Sequence, residues 1–147
     1  MAKVGRPKKI KTPEDLFQAF QRYEIWVKEN PFLVHDFKGS GVEEVYIKKE
    51  RPLSMEGFSN FCFRHKIHGW IDDYFHNKEN RYTEFATICK HIKHLIRENQ
   101  VSGGMAGIFN PSLTQRLNNI TEKQEIKTTI VEKKQIFKIG DQEIQFD

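Results

Sequence analysis

Apolar residues at helical spacing predict most of the secondary structure of this chain. The first series comprises Leu16, Phe20, Tyr23 and Val27. Its members lie three or four residues apart, which places them on one face of an α-helix. Thr12 is a suitable N-cap for this helix, and Pro31 predicts its end because proline cannot continue the hydrogen-bond ladder.

The pattern changes between Phe32 and Lys49. Two short extended runs, FLVHDFK and VEEVYIKK, flank Gly39-Ser40-Gly41. Short runs of this kind on either side of a glycine-rich turn are typical of a β-hairpin. We therefore predict a hairpin over residues 32–49, and an irregular excursion is the alternative.

Residues 54–76 have the outline of a helix, a tight turn and a second helix. Ser54 can cap the first helix, whose apolar face comprises Met55, Phe58, Phe61 and Cys62. A break near Gly69 precedes a short apolar segment from Trp70 to His76. In a helix-turn-helix protein the second helix enters the major groove, where Lys66 and His68 would meet DNA.

A structural scaffold explains the same segment equally well. Trp70 and Phe75 have the character of core residues, and Asp72 and Asp73 would repel phosphate. Many helical pairs share this outline without contacting DNA. Both interpretations stay open.

The clearest amphipathic helix follows. Its apolar stripe comprises Phe85, Ile88, Cys89, Ile92, Leu95 and Ile96. Lys90, Lys93 and Arg97 lie largely away from that stripe and form a basic flank. Ser102-Gly103-Gly104 predicts the end of the helix, and Asn110-Pro111 predicts the start of a short helix. That short helix carries Leu113, Leu117 and Ile120.

The C-terminal residues predict β-strands. Alternating apolar residues begin near Ile126, and the runs QIFKI and QEIQF flank Gly140-Asp141, which suits a hairpin turn. An isolated hairpin is marginal in water, so we expect these strands to pair with neighbouring subunits, although packing against their own helical body is an alternative. The residues expected at this contact are Ile126, Ile130, Ile136, Phe137, Ile139, Ile144 and Phe146.

Positive charge is concentrated at the N-terminus. Residues 1–11 contain five basic residues and no acid, which leaves 19 of the 24 basic residues against 20 acids in the rest of the chain. The five are Lys3, Arg6, Lys8, Lys9 and Lys11. Gly5-Arg6-Pro7 is the core of AT-hook segments, in which an extended arginine occupies an A·T-rich minor groove. A DNA-binding arm is the favoured interpretation, and a solubilising tail is the alternative.

Other function classes find little support. Cys62-x-x-His65-x-x-His68 and Cys89-x-His91-x-x-His94 contain zinc-ligand residue types, but both cysteines belong to apolar faces and are expected to be buried free thiols. We predict no metal site, no cofactor and no catalytic residue, since nucleophile, carboxylate-pair and phosphate-loop motifs are missing. No apolar run is long enough for a bilayer span and no secretory signal is recognisable, so we expect the protein in the cytoplasm of its cell.

The order of the segments resembles the small-terminase family of phage DNA-packaging proteins. The resemblance rests on GRPKK, TPEDLFQAFQRYEIWVKENP, RPLSMEGFSNF, the spacing of Trp70 and Tyr74, and RYTEFATICKHIKHLIRENQVSGGMAGIFNPSLTQRLNNI. It implies a ring of subunits, for which we expect nine, with C-terminal strands joined in a barrel. It also implies binding of double-stranded viral DNA and recruitment of a large terminase subunit that holds the ATPase and nuclease.

One departure from that family affects the expected DNA site. Some relatives have a basic tail after the strands, whereas residues 111–147 contain six basic and six acidic residues. The role of such a tail cannot be transferred to this chain. The N-terminal arm and the basic flank of the central helix are the remaining candidates.

We therefore predict a mainly α, α+β protein of three parts. They are a basic flexible arm at 1–11, a helical domain at 12–120 and a β-strand oligomerisation element at 121–147. A dimeric helix-turn-helix transcription regulator is the second hypothesis, and an architectural assembly protein that does not bind DNA is the third.

Overall fold

A computed structural model describes residues 8–40, 42–120, 136–139 and 142–145. The helices are α1 (Pro13–Glu29), α2 (Met55–Arg64), α3 (Asp72–Phe75), α4 (Ala86–Met105) and α5 (Pro111–Leu117). Two short 3-10 helices, Lys78–Asn80 and Thr83–Phe85, precede α4. The strands are β1 (Phe32–Lys38), β2 (Glu43–Lys49), β3 (Ile136–Ile139) and β4 (Gln142–Gln145). The prediction of a mainly helical protein with a hairpin after the first helix is confirmed.

α1 begins with a reciprocal capping box. The Thr12 hydroxyl accepts from the Asp15 amide at 3.1 Å, and the Asp15 carboxylate accepts from the Thr12 amide at 3.2 Å. This pair satisfies two of the amides that every helix start leaves without a partner. The four predicted apolar positions of α1 are all buried.

The core lies where α1, α2 and α4 meet, and aromatic rings fill much of it. Phe20 of α1 packs edge-on against Phe58 of α2, with 5.3 Å between ring centroids. The Tyr23 hydroxyl accepts from the Ser54 amide at 3.2 Å and so joins α1 to the start of α2. Burial raises the pKa of Tyr23 above its ordinary value. α4 adds Cys89, Ile92 and Ile96 to the same core.

The predicted end of α4 at Ser102-Gly103-Gly104 is wrong, because the helix continues to Met105. Gly103 and Gly104 are both buried. A Cβ at Gly103 would lie 2.2 Å from the Phe109 ring, and one at Gly104 would lie 2.8 Å from the Thr114 side chain. These glycines therefore allow α5 and its connecting turn to approach α4 closely.

The predicted helical pair at 54–76 is present, but its second member is very short. α3 has four residues, and Trp70 lies before it with 62% of its surface exposed. The expectation that Trp70 belongs to the core is wrong, whereas Phe75 is half-buried against the core. Because Trp70 precedes the helix, its spacing to later apolar residues does not place it on their face.

The β1–β2 hairpin is joined to the helical body near Arg51. The Arg51 guanidinium carbon lies 3.9 Å from the Phe32 ring centroid and 5.3 Å from that of Trp26. Its Nε donates to the Asn30 carbonyl at 2.8 Å. Beyond this contact every β1 residue is exposed, and β2 has only Val45 and Ile47 half-buried.

The C-terminal strands β3 and β4 pair antiparallel, with Ile136 opposite Gln145 and Ile139 opposite Gln142. Ile126, Ile130 and Phe146, which we predicted at an intersubunit contact, lie outside the described residues. The predicted barrel and ring stay predictions. Among the helices that the structure describes, none is both long enough and apolar enough to cross a membrane.

Candidate nucleic-acid interface

The last part of the basic arm, residues 8–10, is its root, and this arm root packs on the helical body through Ile10. Only 5% of the Ile10 surface is exposed. Its amide donates to the Tyr74 hydroxyl at 3.1 Å, and that hydroxyl donates to the Ile10 carbonyl at 3.0 Å. Burial is the main cause that raises the Tyr74 pKa above its ordinary value, so the hydroxyl remains protonated and able to donate. Ile10 is thereby held against Tyr74 of α3.

Lys8 is partly neutralised by its surroundings. Its ammonium forms an ion pair with the Glu84 carboxylate and lies 5.5 Å and 5.3 Å from the ring centroids of Tyr82 and Phe85. A cation held over aromatic rings and against a carboxylate gives up favourable contacts when it moves to a phosphate. Lys8 is consequently a weaker candidate for DNA contact than its exposed neighbours.

Lys9 and Lys66 lie together although they are far apart in sequence. The Lys9 ammonium donates to the Lys66 carbonyl at 3.2 Å, and both residues are exposed. Lys66 lies two residues after the end of α2 and is in the left-handed region, with a φ of 56°. The following amide of Ile67 donates to the Cys62 carbonyl at 2.9 Å. The arm root and the α2–α3 turn thus form one basic surface.

His68 belongs to this same turn. Its Nδ1 accepts from the Trp70 amide at 3.0 Å, which shapes the approach to α3. The imidazole ring also lies edge-on to Tyr74, with 5.2 Å between the centroids. These contacts give His68 a structural role whether or not it also contacts DNA. Lys11, just past the arm root, is exposed.

A second basic surface runs along the exposed side of α4. Its members are Lys90, Lys93, His94 and Arg97, and all four are exposed. The spacing of three and four residues aligns them along about 10 Å of one helix side. No acid occurs between Ala86 and Arg97, so this stripe has no internal carboxylate to neutralise it.

α3 borders both basic surfaces. Its Tyr74 holds the arm root, and its Phe75 lies under the Lys93 ammonium, 5.8 Å from nitrogen to ring centroid. α3 itself is acidic, and its Asp73 forms an ion pair with Lys78 at 3.6 Å. A helix of four residues spans about 6 Å and presents little surface to a major groove. This geometry gives no support to the transcription-regulator hypothesis.

The two cysteines are buried free thiols, as predicted. Burial raises the pKa of Cys62 to about 12 and that of Cys89 to about 11. The thiolate is the form that binds zinc, so both residues are poor ligands at neutral pH. Over the described part of the chain, no group of three or more residues of metal-ligating type is placed to hold an ion.

The structure brings together Lys9, Lys66 and His68, and it places Lys90, Lys93 and Arg97 on a second surface. Lys3 and Arg6 lie outside the described residues. Sequence reasoning missed two partners of the arm root, Glu84 and Tyr74. No local pattern marks either residue, because they meet the arm only through the fold.

Comparison with known proteins identifies a family. A family model described as DNA-packaging protein gp3 matches residues 5–126, which is most of the chain. The family is one of phage DNA-packaging proteins, and its description names no catalytic activity. A search of curated proteins finds no match.

Proposed function

The chain belongs to the phage DNA-packaging protein gp3 family, and from this membership we propose that it is a small terminase subunit. In this role it is not an enzyme. It recognises double-stranded viral DNA in the host cell cytoplasm and recruits or regulates the large subunit, which carries the ATPase and nuclease.

The basic surface at the arm root is the observation that carries the DNA-binding part of this proposal. Lys9 and Lys66 are exposed and adjacent, and the arm that continues from them contains Lys3 and Arg6. Such a concentration of cations on a chain that is otherwise near neutral favours a polyanionic partner. The stripe on α4 offers a second set of cations for the same duplex.

Removal of charge from the arm tests the proposal. We expect Arg6→Ala combined with Lys9→Ala and Lys11→Ala to weaken DNA binding and to reduce the slope of log K against log salt by up to about 2.7, since each lost phosphate contact is worth about 0.9. Lys8 is left intact because its ion pair with Glu84 and its ring contacts contribute to packing. Fluorescence anisotropy with a labelled duplex over a salt series measures both quantities.

A matched variant separates the two basic surfaces. Lys90→Ala with Lys93→Ala and Arg97→Ala removes the same formal charge from α4. Arg22→Ala with Lys28→Ala and Lys38→Ala, all exposed and remote from both surfaces in sequence, is the control for net charge. If the arm variant and the α4 variant both bind DNA with the affinity and salt slope of the control variant, the proposed DNA-binding role is wrong.

Ring formation is the assembly part of the proposal. Exposed apolar residues cluster in sequence at the end of α4 and along α5, which supports a contact between subunits there. They are Met105, Ile108, Leu113, Leu117 and Ile120. A nonamer of 17.4 kDa chains has a mass of about 157 kDa, which native mass spectrometry resolves from other stoichiometries. A dimer at all concentrations would contradict the ring.

A further inference from the structure

The strand β2 has a charge pattern that complements itself when two copies run antiparallel. Its residues are Glu43-Glu44-Val45-Tyr46-Ile47-Lys48-Lys49. Two acids begin the strand, two lysines end it, and the residues between them are apolar or aromatic. When a second copy of the strand runs antiparallel to the first, each acid therefore lies opposite a lysine.

The outer edge of β2 is available for pairing. Among the strands that the structure describes, β2 is hydrogen-bonded to β1 alone. None of the further backbone hydrogen bonds found in the described residues involves residues 43–49. Tyr46 is 66% exposed and Leu33 on the neighbouring strand is 63% exposed. A two-stranded hairpin with both faces largely in solvent is marginal by itself, so further strands would stabilise it.

We propose that β2 is a self-association edge, at which two copies of this chain pair antiparallel in a four-stranded sheet of order β1–β2–β2–β1. The register that the charges select is centred on Tyr46, which lies opposite the partner's Tyr46. Glu43 then lies opposite Lys49 and Glu44 opposite Lys48, twice each because the contact is two-fold. Val45 lies opposite Ile47.

The faces of the hairpin agree with this register. Val45 pairs with Asp36, Ile47 pairs with Val34, and Lys49 pairs with Phe32. Because paired residues lie on the same face of a sheet, Val45 and Ile47 share one face with Phe32 and Val34. The proposed pairing continues that apolar face into the second copy. On the opposite face, His35 stacks on Tyr46 with 5.2 Å between centroids, and the second Tyr46 would extend this aromatic group.

The hairpin is less suited to nucleic acid. Lys38, Lys48 and Lys49 balance Asp36, Glu43 and Glu44, so residues 32–49 carry no net charge. Charged residues on an edge strand also serve to prevent unwanted pairing. A strand protected in that way repels a second copy, whereas the arrangement in β2 attracts one. Glu44 also lies 3.7 Å from His35 but remains 66% exposed, so it stays accessible to a lysine of the second copy.

This contact is distinct from the ring that we propose above. Subunits of a cyclic ring meet through two different surfaces, whereas the β2 contact joins identical surfaces across a two-fold axis. It would therefore link two rings, or two free chains, and would double the mass of whichever assembly carries it. Its presence does not depend on DNA binding.

Reciprocal charge reversal tests the proposal. One variant carries Lys48→Glu and Lys49→Glu, and the other carries Glu43→Lys and Glu44→Lys. Alone, each variant brings like charges together at four places, and we expect its two-fold association to weaken at least about tenfold. Mixed in equal amounts, the two variants form complementary pairs and recover the association. Sedimentation velocity over a concentration series measures the mass doubling.

Cross-linking tests the register. Tyr46→Cys places two thiols opposite each other across the axis, and mild oxidation should give a disulfide-linked dimer on a non-reducing gel. Leu33→Cys is the matched control, since it is equally exposed on the same face but is separated from its counterpart by three strand spacings, about 14 Å, across the sheet and by four residues, about 13 Å, along it. The proposal is overturned if the unmodified protein shows no doubling, if the mixed charge variants do not recover it, or if Leu33→Cys links as fast as Tyr46→Cys.

Discussion

Gly103→Ala tests whether the close packing of the α4–α5 turn is required for stability. The added Cβ would lie 2.2 Å from Cε2 and 2.3 Å from Cδ2 of the Phe109 ring. The ring cannot easily withdraw, because the Ile108 and Phe109 amides both donate to the Gly103 carbonyl, at 2.8 Å and 3.1 Å. Either the turn shifts or the ring leaves its half-buried site.

Two opposing effects decide the sign of the change. Alanine is favoured over glycine inside a helix by about 1 kcal/mol. Overpacking of a close-packed contact costs about 1–3 kcal/mol. Because a carbon-carbon approach of 2.2 Å is far inside van der Waals contact, we place the cost toward the upper end of that range. The expected result is a net destabilisation of about 1–2 kcal/mol.

Urea unfolding followed by circular dichroism measures this change, at one fixed protein concentration because assembly adds to apparent stability. Gly69→Ala is the control, since no atom lies within 4 Å of its Cβ position. It should be neutral or stabilising by up to about 1 kcal/mol. The double variant Gly103→Ala with Phe109→Ala should lose less than the two single variants together. If Gly103→Ala is as stable as Gly69→Ala, the contact with Phe109 is refuted.

Three other predictions concern the arm root, the α2–α3 turn and the thiols. Tyr74→Phe leaves both backbone groups of Ile10 unpaired, so unfolding should become easier by about 1–3 kcal/mol and trypsin should cut the arm faster; an unchanged cleavage rate would contradict the anchor. Lys66→Gly relieves the strain of the left-handed backbone and should stabilise the fold by about 1 kcal/mol. Lys66→Ala should not stabilise it. Equal urea midpoints for these two variants would argue against this strain. Burial raises the pKa of Cys62 to about 12 and that of Cys89 to about 11, from an ordinary value of 9.0. The stability that these protonated thiols contribute is therefore complete below pH 9, where the unfolded chain is protonated too, and is lost as the pH rises to 11–12. Ellman's reagent should therefore react slowly at pH 8 until urea unfolds the protein, and fast reaction of the native protein would refute this burial.

The helices that could be predicted from the sequence are those whose signals are local. Thr12 and Ser54 each cap the helix that follows them in sequence. The apolar stripe of α4 repeats at a spacing that only a helix brings to one face. Both kinds of signal depend on neighbouring residues alone, so no knowledge of the fold is needed to recognise them.

The features that could not be predicted depend on contacts between distant residues. Gly103 looks like a helix stop until Phe109 is known to pack against it. Ile10 looks like part of a flexible arm until Tyr74, 64 residues later, is seen to bind its backbone. The same limitation applies to the candidate DNA surface, because the proximity of Lys9 and Lys66 is a product of the fold.

The proposed DNA surface and the proposed self-association edge are held apart by α1. The arm root enters this helix at Thr12, and the hairpin leaves it after Asn30. A helix of 17 residues is about 25 Å long, so the two surfaces lie near opposite ends of one rigid element. Substitutions more than about 10 Å apart with no shared partner have additive effects. The charge variants of β2 should therefore leave the salt slope of DNA binding unchanged, and the arm variants should leave the two-fold association unchanged. A change in both quantities after either set of substitutions would mean that assembly and DNA binding are coupled.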